Sequence, residues 1–287
     1  MSPIKLVILD IDGVIIGRRK GHNNPVPSGP VTDRILELQK KGIMVSYCTN
    51  RSFSGIGQIL ESTQSNGVHI VDGGAILFDA GKHAPTVQHI IDPVDVSAAI
   101  DFSERHQAHI EVYILDRYFI QRSQSTSIIV PEHSRILGQE PEVVSSLADV
   151  ATRYPVVRIL AVLPDQQSSE QFTADWKSEG LSASLHWGVH PTLLPHQFGV
   201  ITATGVSKKK GMCELLAQAG VSSDQTLGIG DWISDWEFME ECGYVGAMGN
   251  ANDELKEKVK TKGDGHFVIG GDVDEDGILK ILDHFGV

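Results

Sequence analysis

The sequence predicts an α/β fold: a parallel sheet flanked by helices, with a second, smaller α/β domain inserted into it. Three observations carry that expectation. Residues 4–9 (Ile, Lys, Leu, Val, Ile, Leu) form the near-continuous aliphatic run of a strand buried on both faces. Short apolar runs alternate with amphipathic helical patterns at both ends of the chain, as in βαβ units with right-handed crossovers. Between them, residues 84–191 have strand and helix patterns of their own and are too long for a structureless loop.

Taken in order, the first strand ends in Asp10-Ile11-Asp12-Gly13, where the glycine lets the chain turn sharply. A polar loop with Arg18, Arg19, Lys20 and His22 follows, which reads as solvated or as a substrate rim. Ser28 then caps a helix with Pro30 in its first turn, apolar positions at Val31, Ile35 and Leu38, and a stop at Gly42. The strand IMVSYC brings Thr49 to the same rim as Asp10. A helix (SFSGIGQILES) and a strand (VHIV) complete this part. In the inserted segment HIEVYILD, YFIQRS, VVRILAVL and LSASLHW read as strands, and DVSAAIDFSERH and SEQFTADWKSE as helices. The C-terminal third continues with a helix (SKKKGMCELLAQAG), a strand (TLGIG), a loop and helix (DWISDWEFMEECG), and a strand (YVGAMGN). The expected domains are thus a core of residues 1–83 and 192–287 and an inserted domain of residues 84–191.

The 287 residues carry 24 basic and 37 acidic side chains, a formal net charge of −13, which argues against a general nucleic-acid binder. No apolar run reaches membrane-spanning length, and no signal-peptide cleavage pattern is found. Cys48, Cys213 and Cys242 are scattered, without metal-ligand spacing, as expected of a cytoplasmic protein.

Asp231 follows the strand TLGIG as Asp10 follows the first strand, and Asp235, four residues on, is expected on the same face. Asp10, Asp12, Asp231 and Asp235 then converge at the carboxyl ends of parallel strands, where ligands bind in such sheets. Four carboxylates repel and raise one another's pKa, a conflict that magnesium, with its oxygen ligands and retained waters, would resolve. A phosphate beside them needs a cation, and Lys208 at a helix start can supply it. One aspartate can then act as nucleophile. A second copy of the pattern, Asp274-Glu275-Asp276-Gly277, partly fits a calcium loop with Asp272, but Asp283 stands where a bidentate glutamate belongs; a turn and acidic helix start is the competing reading.

These motifs together (DIDG after a buried strand, Thr49 after the second strand, Lys208, and GDWISD) resemble those of the haloacid dehalogenase superfamily. "GVSKKKG", "MGNANDELK" and "DVDEDGILKIL" look like its Cof-like, type IIB phosphatases, although "TNR" is similar to the nitrophenylphosphatase-like branch. The resemblance implies a Rossmann-like core with an inserted cap domain that closes over the site. It implies Asp10 as nucleophile and magnesium ligand, and Asp12 as acid/base that binds the metal through its carbonyl. Thr49, Asn50, Lys208 and Ser234 would contact phosphate, and Asp231 and Asp235 would complete the metal site. The implied reaction is magnesium-dependent hydrolysis of a small phosphorylated metabolite, such as a sugar phosphate, through an aspartyl-phosphate, by a monomer or homodimer. Trp232 and Ser234 depart from the family's usual Gly or Ser and Asn, which would narrow the site and weaken a phosphate contact. Two other functions share these motifs, a sugar phosphomutase and a non-catalytic sugar-phosphate binding protein.

Overall fold

A computed structural model describes residues 3–189 and 193–287. The chain forms two compact units, Met1–Thr49 with Gly57–Thr86 and Ser207–Val287, and Asn50–Ile56 with Val87–Val206.

The first unit begins with β1 (Leu6–Leu9), every residue of which is buried. The helix α1 (Gly29–Lys40) is capped by Ser28, whose side chain accepts from Val31 N, and it buries Val31, Ile35 and Leu38. Next come β2 (Met44–Tyr47), α2 (Gly57–Ser62), β3 (Val68–Val71), β4 (Ile76–Asp79) and β5 (Ala84–Gln88). The second unit contributes α3 (Pro93–Arg105), β6 (His109–Tyr113), β7 (Tyr118–Gln121), α4 (Ile129–Leu137), β8 (Glu142–Val144) and α5 (Ala148–Arg153). It continues with β9 (Arg158–Leu163), α6 (Gln166–Ser178), β10 (Ser184–Val189) and β11 (Gln197–Thr202). The chain returns to the first unit with α7 (Lys208–Ala219), β12 (Thr226–Gly230), α8 (Trp236–Met239), β13 (Tyr244–Ala247), α9 (Asp253–Lys260), β14 (Phe267–Ile269) and α10 (Ile278–Phe285).

The first unit's main sheet has the order β14-β13-β12-β1-β2, and all four pairings are parallel. Parallel strands packed between helices must be apolar on both faces, which is why β1 and β12 read as uninterrupted apolar runs. Both strands end at the same rim, so Asp10 and Asp231 leave the sheet side by side. A smaller sheet, β3-β4-β5, lies beside β2 and is tied to it where Thr49 N donates to Ile70 O at 3.0 Å.

The second unit is built on a six-stranded sheet, β10-β11-β9-β6-β7-β8, antiparallel except for the β7–β8 pair. One face packs Ile110, Val112, Ile159, Ala161 and Ile201 against Phe102, Val150, Phe172 and Trp176 from α3, α5 and α6. On β6 the fully buried Glu111 accepts from His109 Nε2 (3.1 Å), from His133 Nδ1 of α4 (2.8 Å) and from the Tyr113 hydroxyl. Burial pushes the Glu111 carboxyl up, but the neighbouring histidines outweigh it and hold the group well below the usual range.

The expected domain limits differ from this division. The boundary placed between residues 191 and 192 lies outside the described residues. Beyond it, β11 pairs with β9 and β10, so residues 197–202 belong to the second unit and the return to the first falls at Ser207. The sequence pattern misses β11 because its pairing partners are antiparallel strands set by long-range burial rather than by local period.

Candidate active site

Asp10 follows β1 and is held by its N–H to Ile229 O of β12 (3.0 Å). Its carboxylate is buried, and Oδ1 accepts from Lys208 Nζ at 2.6 Å. The same ammonium donates to Asp235 Oδ1, also at 2.6 Å. Lys208 is the first residue of α7, where a cation opposes the helix dipole, so two carboxylates are needed to hold it there. Burial disfavours its charge, but Asp10 and Asp235 outweigh burial and keep its pKa well above the usual value. The two neighbouring lysines behave differently. Lys209 reaches Glu240 and Glu241 at 2.8 and 2.7 Å, Lys210 reaches Glu214 at 3.5 Å, and each is about half exposed.

Asp235 acts as the organiser of this loop. Its Oδ2 accepts from the backbone N–H groups of Asp231 (3.0 Å) and Trp232 (3.1 Å), so the turn after β12 is folded around one buried carboxylate. Asp231 lies against Gly13, which has φ +79°; a Cβ there would stand 2.0 Å from Asp231 Oδ2. The glycine therefore does more than turn the chain after Asp12, because it makes room for the second aspartate.

Asp10, Asp231 and Asp235 each offer a carboxylate oxygen, all within 4.8 Å of one another. The Asp12 carboxylate is not part of that group. Thr49 is buried, its N–H on Ile70 O and its carbonyl accepting from Gly73 N at 3.1 Å. Asn50 belongs to the second unit, where its carbonyl accepts from Arg158 Nη1 at 2.8 Å. Ser234 lies in the short 3₁₀ turn Ile233–Asp235 and is half-buried, whereas Trp232 is exposed.

The second acidic copy is a clasp and gathers no metal-ligand group among the described residues. Asp274 Oδ1 accepts from Arg18 N (2.8 Å) and Asn23 Nδ2 (3.1 Å), Asp276 Oδ1 accepts from Ser28 Oγ (2.6 Å), and Asp283 pairs with Arg34 (2.8 Å). The basic loop is thereby tied to the acidic one, with Arg19 Nη1 donating to Asp274 O at 2.9 Å.

Two residues of the site escaped the sequence reading. Gly74, at φ +101°, lies so close to the start of α7 that a Cβ would stand 2.1 Å from Ser207 O; it lets the turn after β3 support Lys208. The Gly73-Gly74 pair after VHIV was the available signal. Asn250 donates through Nδ2 to Gly13 O at 2.9 Å and accepts at Oδ1 from Val273 N at 2.8 Å; its signal was the family-like MGNANDELK stretch, in which no single residue had been given a role.

With this geometry in view, comparison with known proteins assigns the family. A family model of haloacid dehalogenase-like hydrolases matches residues 7–282. The chain belongs to this family. Among curated relatives, the pyridoxal phosphate phosphatase of Escherichia coli is 24% identical over 289 residues, covering 97% of each chain. A phosphoglycolate phosphatase of Staphylothermus marinus is 21% identical over 277 residues, covering 93% of this chain and 95% of its own. A solved subclass IIB sugar phosphatase of the superfamily has the same fold, with TM-score 0.76, 22% identity, and 98% and 99% of the two chains covered. The chain is thus an enzyme of the family's phosphatase kind with a parallel-sheet core and a separate, largely antiparallel sheet. Among the described residues no helix is long and apolar enough to cross a membrane.

The acidic group is of a kind that could hold a metal ion such as magnesium. The donor set fits, since it is all carboxylate oxygen, the chemistry a hard cation takes. The electrostatics agree. Burial and the charge of Asp235 push the Asp10 carboxyl above its usual range, only partly offset by Lys208, and the same two causes, with Asp10 added, raise Asp231. One ammonium does not balance the cluster.

A pH dependence follows. Carboxyls whose pKa is raised on folding contribute stability that is full below their unfolded value of about 4 and is lost as pH rises through the folded values. The metal-free protein is therefore expected to lose stability from this site on going from pH 5.5 to pH 8. Magnesium would offset that loss, so the rise in Tm on adding it should be larger at pH 8 than at pH 5.5, by about 2 °C or more. Thermal unfolding in chelator and in excess magnesium at the two pH values checks this. Equal rises at both would contradict the raised carboxyls.

Proposed function

We propose that the protein is a magnesium-dependent phosphomonoester hydrolase that works through an aspartyl-phosphate on Asp10. The observation that carries the reading is the buried ammonium of Lys208 shared between Asp10 and Asp235, with Asp231 alongside. Asp10 and Asp231, with the carbonyl of Asp12, would hold the metal, and Asp235 would support it by orienting Asp231 and Lys208. When bound, magnesium would supply positive charge against the substrate's phosphoryl oxygens.

The chain's own residues divide the remaining work. The Asp10 carboxylate attacks phosphorus, and the bond to the leaving oxygen breaks as Asp12 donates its proton. Asp12, now ionised, takes a proton from water, whose oxygen attacks the phosphoryl group and releases inorganic phosphate and free Asp10. Lys208, with Thr49, Asn50 and Ser234 as hydrogen-bonding groups, holds the phosphoryl oxygens; such transfers depend mainly on positioning and charge stabilisation. The second unit acts as the cap that selects the leaving group.

The relatives described above support a small phosphorylated metabolite as substrate, since pyridoxal phosphate, phosphoglycolate and sugar phosphates are all of that kind. A screen of small phosphomonoesters with an aryl phosphate as reference tests the assignment. Release of inorganic phosphate is expected with magnesium and should disappear in chelator. Full activity in chelator, or isomer formation without phosphate release, would overturn it.

A further inference from the structure

We propose that Asn250 is a positioning residue that fixes the orientation of Asp231 for metal binding. The inference rests on the proposed magnesium site. Asn250 lies on the turn after β13, and its carboxamide meets three partners. Nδ2 donates to Gly13 O at 2.9 Å and approaches Asp231 Oδ2 at 3.4 Å, while Oδ1 accepts from Val273 N at 2.8 Å. The amide has one possible orientation. Val273 offers only a backbone N–H and Gly13 only a carbonyl, so a flipped carboxamide would set donor against donor and acceptor against acceptor.

In this orientation the Asp231 Oδ2 atom meets both the Gly13 backbone and the Asn250 carboxamide. The Gly13 backbone is so close that a Cβ would stand 2.0 Å away, and the Asn250 NH₂ group, itself bonded to Gly13 O, lies 3.4 Å from the same oxygen. These two contacts restrict rotation of the Asp231 carboxylate within the acidic group. The same carboxamide ties Gly13 O, and so the DIDG turn, to the DVDEDG segment. That segment holds the basic loop through Asp274, giving the second acidic copy a mechanical role in support of the first. Hydrogen bonds that orient metal ligands typically change metal affinity by about 10- to 100-fold when removed.

The test is calorimetric titration of the full chain with magnesium, without substrate. Wild type is expected to bind. Asn250→Ala should raise the magnesium Kd about 10- to 100-fold. Asn252→Ala serves as a control. It removes the cap of α9, where the Asn252 side chain accepts from Leu255 N, and should lower Tm without moving the magnesium Kd. If Asn250→Ala is too unstable to titrate, Asn250→Ser, which keeps a short polar side chain on the turn, is expected to shift the Kd in the same direction. An unchanged Kd in the Asn250 variant, or equal shifts for Asn250→Ala and Asn252→Ala, would overturn the proposal. A wild-type chain that binds no magnesium would instead sink the metal-site reading beneath it.

Discussion

Replacing Asp10 by asparagine is expected to remove turnover, lowering kcat on an aryl phosphate by about 10⁴-fold or more, the scale seen when a covalent nucleophile is lost. A carboxamide cannot form the acyl phosphate, and no other described carboxylate shares the Asp10 position at the end of β1 between the Ile229 carbonyl and the Lys208 ammonium. The fold should survive. The two side chains are nearly isosteric, and the change removes one of the buried carboxylates whose mutual repulsion and burial raise their pKa values. Metal-free Tm is therefore expected to hold or rise, a result that separates loss of the nucleophile from loss of structure. Acid-quenched wild type should carry covalent phosphate and Asp10→Asn none. Turnover within tenfold of wild type would remove Asp10 from the mechanism.

Lys208→Ala is expected to lower kcat by about 10²- to 10³-fold, the usual effect of losing one preorganised charge in a buried site. Lys209→Ala and Lys210→Ala should change kcat by less than about twofold, since their ammonium groups pair with glutamates at the surface, where ion pairs contribute little. Removing Lys208 also leaves Asp10 and Asp235 without their shared counter-ion. The variant should then depend more steeply on magnesium for stability than wild type does, because unpaired buried charges are costly. Measured kcat for all three variants at saturating magnesium decides the matter, and similar losses in each would place the phosphate-binding cation elsewhere.

Much of this site was readable in the linear sequence. Asp10 and Asp231 each end an uninterrupted apolar run, and a buried strand accepts charge only where it leaves the sheet, so both were expected at the rim where β1 and β12 emerge together. The cap at Ser28, the buried stripe of Val31, Ile35 and Leu38, and the short amphipathic α10 follow from local period and capping chemistry in the same way. Lys208 was distinguishable from Lys209 and Lys210 only through its place in a motif, because all three are lysines at the start of one helix.

What the sequence by itself determined is the set of chemical groups and the strand ends that carry them. Local patterns encode both, through the periods of buried strands and helices and the residues able to stop them. The tertiary structure decided the assignments that depend on partners far along the chain. It buried Lys208 between Asp10 and Asp235 and turned Asp235 onto the backbone of its own loop. It also used Asp274 as a clasp for the basic loop, although its pattern copies that of Asp10 and Asp12, and drew residues 197–202 into the second unit. In each case the deciding contact joins segments whose approach is set by the packing of whole elements. A carboxylate's role then follows from the donors that packing brings to it, which its sequence neighbours do not encode.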